Sequence, residues 1–177
     1  INIYVKEMNF KMNIILHEPE IPQNTGNIGR TCVATGTSLH LIEPLGFKID
    51  DKSLKRAGMD YWKDLDVHYY TNFQDFLNKN PNANIYMATT KALNTYSDIK
   101  FKDDDFIMFG SEGSGIPEEI LLHYKDNSIR IPMLEQYRSL NLSNSVAIVL
   151  YEALRQNSFK GCQMEGHLHR HSWSEAE

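Results

Sequence analysis

Residues 139–144 read Ser-Leu-Asn-Leu-Ser-Asn, entered through Ile131-Pro-Met133 and followed by an apolar stretch at helical spacing. Hydroxyls and carboxamides this dense at the entrance to a buried helix cost free energy unless they cap it or bind something. One of Ser139, Asn141, Ser143 and Asn144 suffices for a cap, and four exceed that need. Two other runs mix turn formers with hydrogen-bonding groups in the same way: Asn24-Thr-Gly-Asn-Ile-Gly-Arg30 and Gly110-Ser-Glu-Gly-Ser-Gly-Ile-Pro117. Three such runs in one small domain point to a single binding site with backbone brought close to a polar ligand.

Each run alone also has a plainer explanation. Asn24 or Thr25 can cap a helix, and Gly26 and Gly29 can serve tight packing. Arg30 stands one turn into that helix between Ile28 and Val33, which read as buried. A guanidinium there needs an anionic or polar partner, such as a phosphate or ribose. The run at 110–115 has the order G-x-x-G-x-G, not the dinucleotide fingerprint, and no Walker lysine follows it. Glu112 is either a solvated turn residue or a partner for a cationic ligand. Tyr151 reads as a packed aromatic at an interface. No carboxylate pair, Ser-His-Asp set or metal-ligand cluster competes with these runs.

The elements that must position them alternate. Strands are expected at 13–17, 38–43, 66–70, 84–88, 106–109 and 128–131, and helices at 28–35, 51–57, 73–78, 118–124 and 142–156. This alternation predicts an α/β domain with a mostly parallel sheet and helices on both faces. Gly36 has the place of a helix C-cap, and Pro117 that of a helix start. The helix at 142–156 is apolar on more than one face, through Leu142, Val146, Val149, Leu150 and Ala153 with Ala147, Ile148 and Leu154 beside them. A helix of that kind is central or covered by a partner, and a homodimer is expected.

Composition narrows the class. The 177 residues are 41% hydrophobic and 23% charged, enough for one globular core. A net charge of -5 argues against a general nucleic-acid field, so any such site must be a local patch. Lys48, Lys52, Lys55, Arg56 and Lys63 form one, with Tyr61 and Trp62 available for base stacking, and Arg138 is a separate phosphate candidate. The alternative is a solvated helix face paired to Asp50, Asp51, Asp60 and Asp64. The two cysteines suggest neither a disulfide framework nor a metal motif. Without an apolar run long enough to span a bilayer, a soluble cytoplasmic protein is expected. Residues 1–11 read as an extension before a natural start at Met12, the domain as 12–160, and the His-rich residues 161–177 as a tag-like or disordered tail.

Taken in order, the three runs resemble the motifs of the SPOUT superfamily of RNA methyltransferases, over nearly the whole domain. His17-Glu-Pro-Glu-Ile-Pro-Gln-Asn-Thr-Gly-Asn-Ile-Gly-Arg30 and Lys55-Arg-Ala-Gly-Met-Asp-Tyr61 are similar to the bacterial subgroup that methylates the 2′-hydroxyl of the tRNA wobble nucleotide, cytidine or uridine 34. The resemblance implies a deep C-terminal trefoil knot, an exception to the rule against threaded chains. It also implies S-adenosyl-L-methionine as methyl donor, no metal, and a homodimer acting on the tRNA anticodon loop. Cofactor contacts would fall on Ala88, Gly110, Ile131 and Ser139. Arg30 would be the catalytic arginine, Ser139 and Asn141 would orient cofactor and ribose, Tyr151 from either subunit would help shape the site, and Lys55, Arg56 and Arg138 would bind RNA. Other possibilities are methylation of a different tRNA or rRNA nucleotide, or a non-catalytic RNA-binding dimer of the same fold.

Overall fold

The computed structural model describes residues 10–49 and 61–175. Seven strands form one sheet: β1 (Asn13–His17), β2 (Ser38–Ile42), β3 (Val67–Tyr70), β4 (Ile85–Ala88), β5 (Asn94–Thr95), β6 (Phe106–Phe109) and β7 (Ser128–Arg130). Their spatial order is β3-β2-β1-β6-β4-β7-β5, and every pairing is parallel. Four α-helices are described: α1 (Pro22–Thr35), α2 (Phe73–Lys79), α3 (Glu118–Leu122) and α4 (Leu142–Gln156).

The central strands are buried on both faces, as parallel strands covered by helices must be. Alternate side chains go to opposite sides. Ile14, Leu16, Leu39, Leu41, Ile107 and Phe109 pack with Ile28 and Cys32 of α1 and Val146, Val149, Leu150 and Ala153 of α4. Ile15, Ile42, Ile85, Met87 and Met108 pack with Phe76 of α2 and, through partly buried Ile120, with α3. Each fully buried aliphatic side chain contributes about 1.5–3 kcal/mol, so packing rather than helix propensity holds α4 in place. Its buried stripe is Val146, Val149, Leu150, Ala153 and Leu154, while Ile148 and Tyr151 are left exposed.

Local chemistry sets the ends. Pro22 opens α1, and Gly36 closes it in the left-handed conformation (φ 66°), its amide donating back to the last carbonyls. Asn72 caps α2 by accepting from the amide of Asp75 at 2.9 Å. Glu118 and Glu119 begin α3 directly after Pro117, acidic groups at the positive end of the helix.

Two expectations needed revision. The helix expected at 28–35 begins at Pro22, so Asn24 and Thr25 are interior helical residues and not caps. The short strand β5 had no counterpart among the expected elements. β7 lies between β4 and β5, which the chain joins through residues 89–93, and the amide of Thr89 donates to Ile129 of β7 at 2.9 Å. The helix expected at 51–57 lies outside the described residues. Phe10 is buried and the amide of Lys11 donates to Asp103 at 2.6 Å, so both belong to the folded body.

Candidate functional site

At the carboxyl ends of β4, β6 and β7 the chain encloses a cavity of about 520 Å³. Ligands of open parallel sheets bind at this end of the strands. Ala88, Gly110, Ile131 and Ser139, the four residues expected to hold a cofactor, all line it. Asn24, Arg138 and Asn141 line it too, so the three polar runs do converge on one site.

The loop after β6 forms one wall. A Cβ on Gly110 would stand 2.0 Å from the carbonyl carbon of Gly115, so only glycine lets the loop close on itself. Ser111 pairs with Gly115 in a single bridge, and its hydroxyl lies 2.8 Å from that of Ser114. The remaining surface mixes apolar side chains from Ile116, Ile131, Leu142 and Val149 with polar groups from Thr89, Thr90 and Ser145.

Glu112 is neither a solvated turn residue nor a free partner for a cation. Its carboxylate accepts from the amides of Glu20 (2.8 Å) and Ile21 (3.2 Å) and from the Asn24 carboxamide (2.9 Å). In return, Glu20 accepts from the amide of Gly113 at 3.1 Å. Asn24 then accepts from the Asn141 carboxamide at 3.0 Å. Asn141 caps α4, its oxygen taking the amide of Asn144 at 3.2 Å and the hydroxyl of Ser143 at 2.7 Å. One hydrogen-bonded line therefore runs from the loop after β6, through α1, to the start of α4. Among the four polar candidates at 139–144, Asn141 is the cap, and Ser143 supports it. Ser139 faces the cavity without belonging to that line.

Arg30 was expected between buried neighbours in need of an anion. It is exposed on the outer face of α1, with Asn27, and does not line the cavity. Its guanidinium carbon lies 6.0 Å from the centre of the Tyr61 ring, and among the described residues it forms no salt bridge. Tyr61 in turn donates to the carbonyl of Gly26 at 2.7 Å, and Trp62 packs partly buried against the core. Both aromatics are committed to packing around α1 and are not open stacking surfaces. Tyr151 is 48% exposed and also stands outside the cavity. Lys48 and Lys63 are exposed; Lys52, Lys55 and Arg56 lie outside the described residues.

Sequence reasoning missed the cationic lining contributed by Lys91 and Arg130. Lys91 bonds to Glu118 at 2.8 Å, a pairing across 27 positions that no local pattern announces. It also missed the structural use of Glu112, for which the glycine-rich run was a clue only to loop shape. Among the described residues, no group of three His, Cys, Asp or Glu could hold a metal ion, and no helix is long and apolar enough to cross a membrane.

Comparison with known proteins agrees with this geometry. The sequence profile of the SpoU rRNA methylase family matches residues 11–151. A Geobacillus stearothermophilus protein, provisionally named a tRNA (cytidine(34)-2′-O)-methyltransferase, is 50% identical over 153 residues, 85% of this chain and 98% of its own. The tRNA (cytidine(34)-2′-O)-methyltransferase of Saccharophagus degradans is 46% identical over 150 residues, covering 84% of this chain and 97% of that protein. A solved structure described as giving insights into the 2-OH methylation of C/U34 on tRNA superposes with a TM-score of 0.80 at 39% identity. It is matched over 84% of this chain and 97% of its own.

Proposed function

This chain belongs to the SpoU rRNA methylase family, and we propose that it transfers a methyl group from S-adenosyl-L-methionine to the ribose 2′-hydroxyl of cytidine or uridine 34 in tRNA. It is an RNA methyltransferase. The observation that carries the reading is the convergence of all three polar runs on one cavity at the carboxyl end of a parallel sheet.

The residues present suit the cofactor. Gly110 leaves room where a Cβ would collide with Gly115, and the cavity pairs apolar surface from Ile131 and Val149 with polar groups at Ser139 and Thr89. When bound, the sulfonium supplies an electrophilic methyl group and needs no metal. The chain's own work is positioning and charge control. Ser139 orients the cofactor beside the reacting ribose, and Asn141 holds the entry to α4 so that Ser139 stays in place. Arg138, on the cavity lining, takes a phosphate.

Arg30 would stabilise the charge that develops on the attacking oxygen while the hydroxyl proton passes to solvent water and the donor departs as S-adenosyl-L-homocysteine. A guanidinium keeps its proton at any physiological pH, so it serves as an electrostatic partner in preference to a base. Because Arg30 stands outside the cavity of its own chain, it acts across the boundary of a homodimer. The exposed apolar residues Leu140, Ile148 and Tyr151 at the start and outer face of α4 supply that boundary. The position of β7 between β4 and β5 supports a trefoil knot, formed where the chain threads past residues 89–93.

The test is transfer of labelled methyl from S-adenosyl-L-methionine to tRNA, followed by digestion to nucleosides. Label on a ribose 2′-oxygen is expected. Label on a base, or none, contradicts the assignment.

A further inference from the structure

A second, open groove of about 770 Å³ lies at the carboxyl ends of β2 and β3, away from the cofactor cavity. Its lining combines two aromatic rings, Phe47 and Tyr69, with Glu43, Lys48 and Thr71. Tyr69 is 43% exposed. Phe47 is half-buried, while Glu43 and Lys48 are exposed. Among the described residues neither Glu43 nor Lys48 takes part in an ion pair.

The groove is tied to the cofactor cavity by backbone. The amide of Gly46 donates to Pro19 at 2.9 Å, and a Cβ at Gly46 would stand 2.7 Å from the Cα of Glu20. The carboxylate of Glu20 accepts from Gly113, which lines the cavity. The amide of Glu43 donates to Tyr70 at the end of β3. The 43–49 loop is therefore seated one layer of chain away from the cofactor wall, on the same end of the sheet.

We infer that this groove seats one unstacked base of the RNA substrate, flanking the nucleotide that is methylated. The base stacks on Phe47 and Tyr69, Lys48 meets its phosphate, and Glu43 accepts from an exocyclic amino group. Single-stranded RNA is recognised by just this division of labour: aromatic faces for the base, a cation for the backbone, and an acceptor for the base edge. A carboxylate acceptor favours bases carrying an amino group and disfavours uracil. The inference rests on the reading of this chain as an RNA methyltransferase, and it adds a place where neighbouring sequence is read.

The experiment uses the full chain and a single-stranded RNA oligonucleotide with 2-aminopurine, a fluorescent amino-bearing base, beside the target nucleotide. Binding should quench the fluorescence. Phe47→Ala and Tyr69→Ala should weaken binding roughly tenfold and abolish the quench, as expected for loss of one stacked base. Lys48→Ala should weaken binding and reduce its salt dependence. Glu43→Gln should narrow the preference for adenine or cytosine over uracil at that position. Affinity for S-adenosyl-L-methionine should stay within about twofold in all four. If Tyr69→Ala does not fold, the exposed positions Lys48 and Glu43 still decide. Wild-type affinity and quenching in the folded variants overturn the inference. Methyl transfer is scored separately: a wild-type protein that binds the oligonucleotide but methylates no ribose overturns the catalytic reading alone.

Discussion

Asn24 and Asn141 are 117 positions apart and hydrogen-bond side chain to side chain at 3.0 Å. Asn24 belongs to α1 and donates on to Glu112, while Asn141 caps α4. Two carboxamides thus tie the loop after β6, helix α1 and the start of α4 into one wall of the cavity. Asn24 is only 6% exposed, so water cannot easily replace either bond.

Asn24→Ala should therefore loosen the site and the fold together. It leaves the Glu112 carboxylate and the Asn141 amide short of a partner, a loss of about 1–3 kcal/mol. For a chain of this size that is a fall of roughly 2–12 °C in Tm. Affinity for S-adenosyl-L-methionine should drop as well, measured by calorimetry. An unchanged Tm and affinity would show that the line does not support the cavity.

Gly110→Ala should abolish cofactor binding. The added methyl would collide with the backbone of Gly115 and Ile116, which cannot swing aside as a side-chain tip can. Calorimetric titration of the purified variant with S-adenosyl-L-methionine should show no heat of binding. Binding at wild-type strength would contradict the assignment of that loop.

Arg30→Ala should remove turnover while leaving cofactor affinity nearly intact, because Arg30 is exposed and outside the cavity. Loss of an oxyanion-stabilising donor typically costs about 100- to 1000-fold in kcat. Single-turnover methyl transfer and calorimetry together check this. Equal loss of cofactor binding would contradict it.

Stability should fall in mild acid through His40. Its ring is buried between Tyr70 (2.9 Å) and Asn13 (3.2 Å) and stacked on His68, and burial lowers its pKa from 6.5 to about 3. Below pH 6.5 the unfolded chain takes up a proton that the folded chain refuses until about pH 3. The stabilisation is complete above 6.5 and is lost as pH falls through that window, by at most about 1.4 kcal/mol per pH unit for one proton. Burial lowers the pKa of His17 too and adds in the same direction. Thermal melts of the wild type and His40→Gln across this range should show a shallower pH slope in the variant. Parallel slopes would remove His40 as the source.

Much of this architecture was legible because parallel strands leave a simple trace. β1 and β6 are short apolar runs with clear ends, and the order of strands and helices follows from them. The stripe on α4 was likewise visible in Val146, Val149 and Ala153 at helical spacing. The run at 24–30 hid the true start of α1, which lies at Pro22. Tight packing, one of the two uses expected for Gly26 and Gly29, is the one found: both are buried within the helix, packed around Tyr61 and Trp62. β5 has two residues and no periodicity to detect. The roles of Asn24 and Glu112 were hidden for another reason: their partners are about ninety positions away or more, and only the folded chain brings them together. The cavity residues Ala88, Gly110, Ile131 and Ser139 were accessible from the sequence through family resemblance, since no local pattern marks Ala88 or Ile131.

The most direct measurement compares two tRNA substrates that differ by one oxygen. One carries an ordinary ribose at position 34, the other a 2′-deoxyribose there. Methyl incorporation from S-adenosyl-L-methionine should be robust on the first and absent on the second. Equal incorporation on both would place the acceptor elsewhere and contradict the assignment.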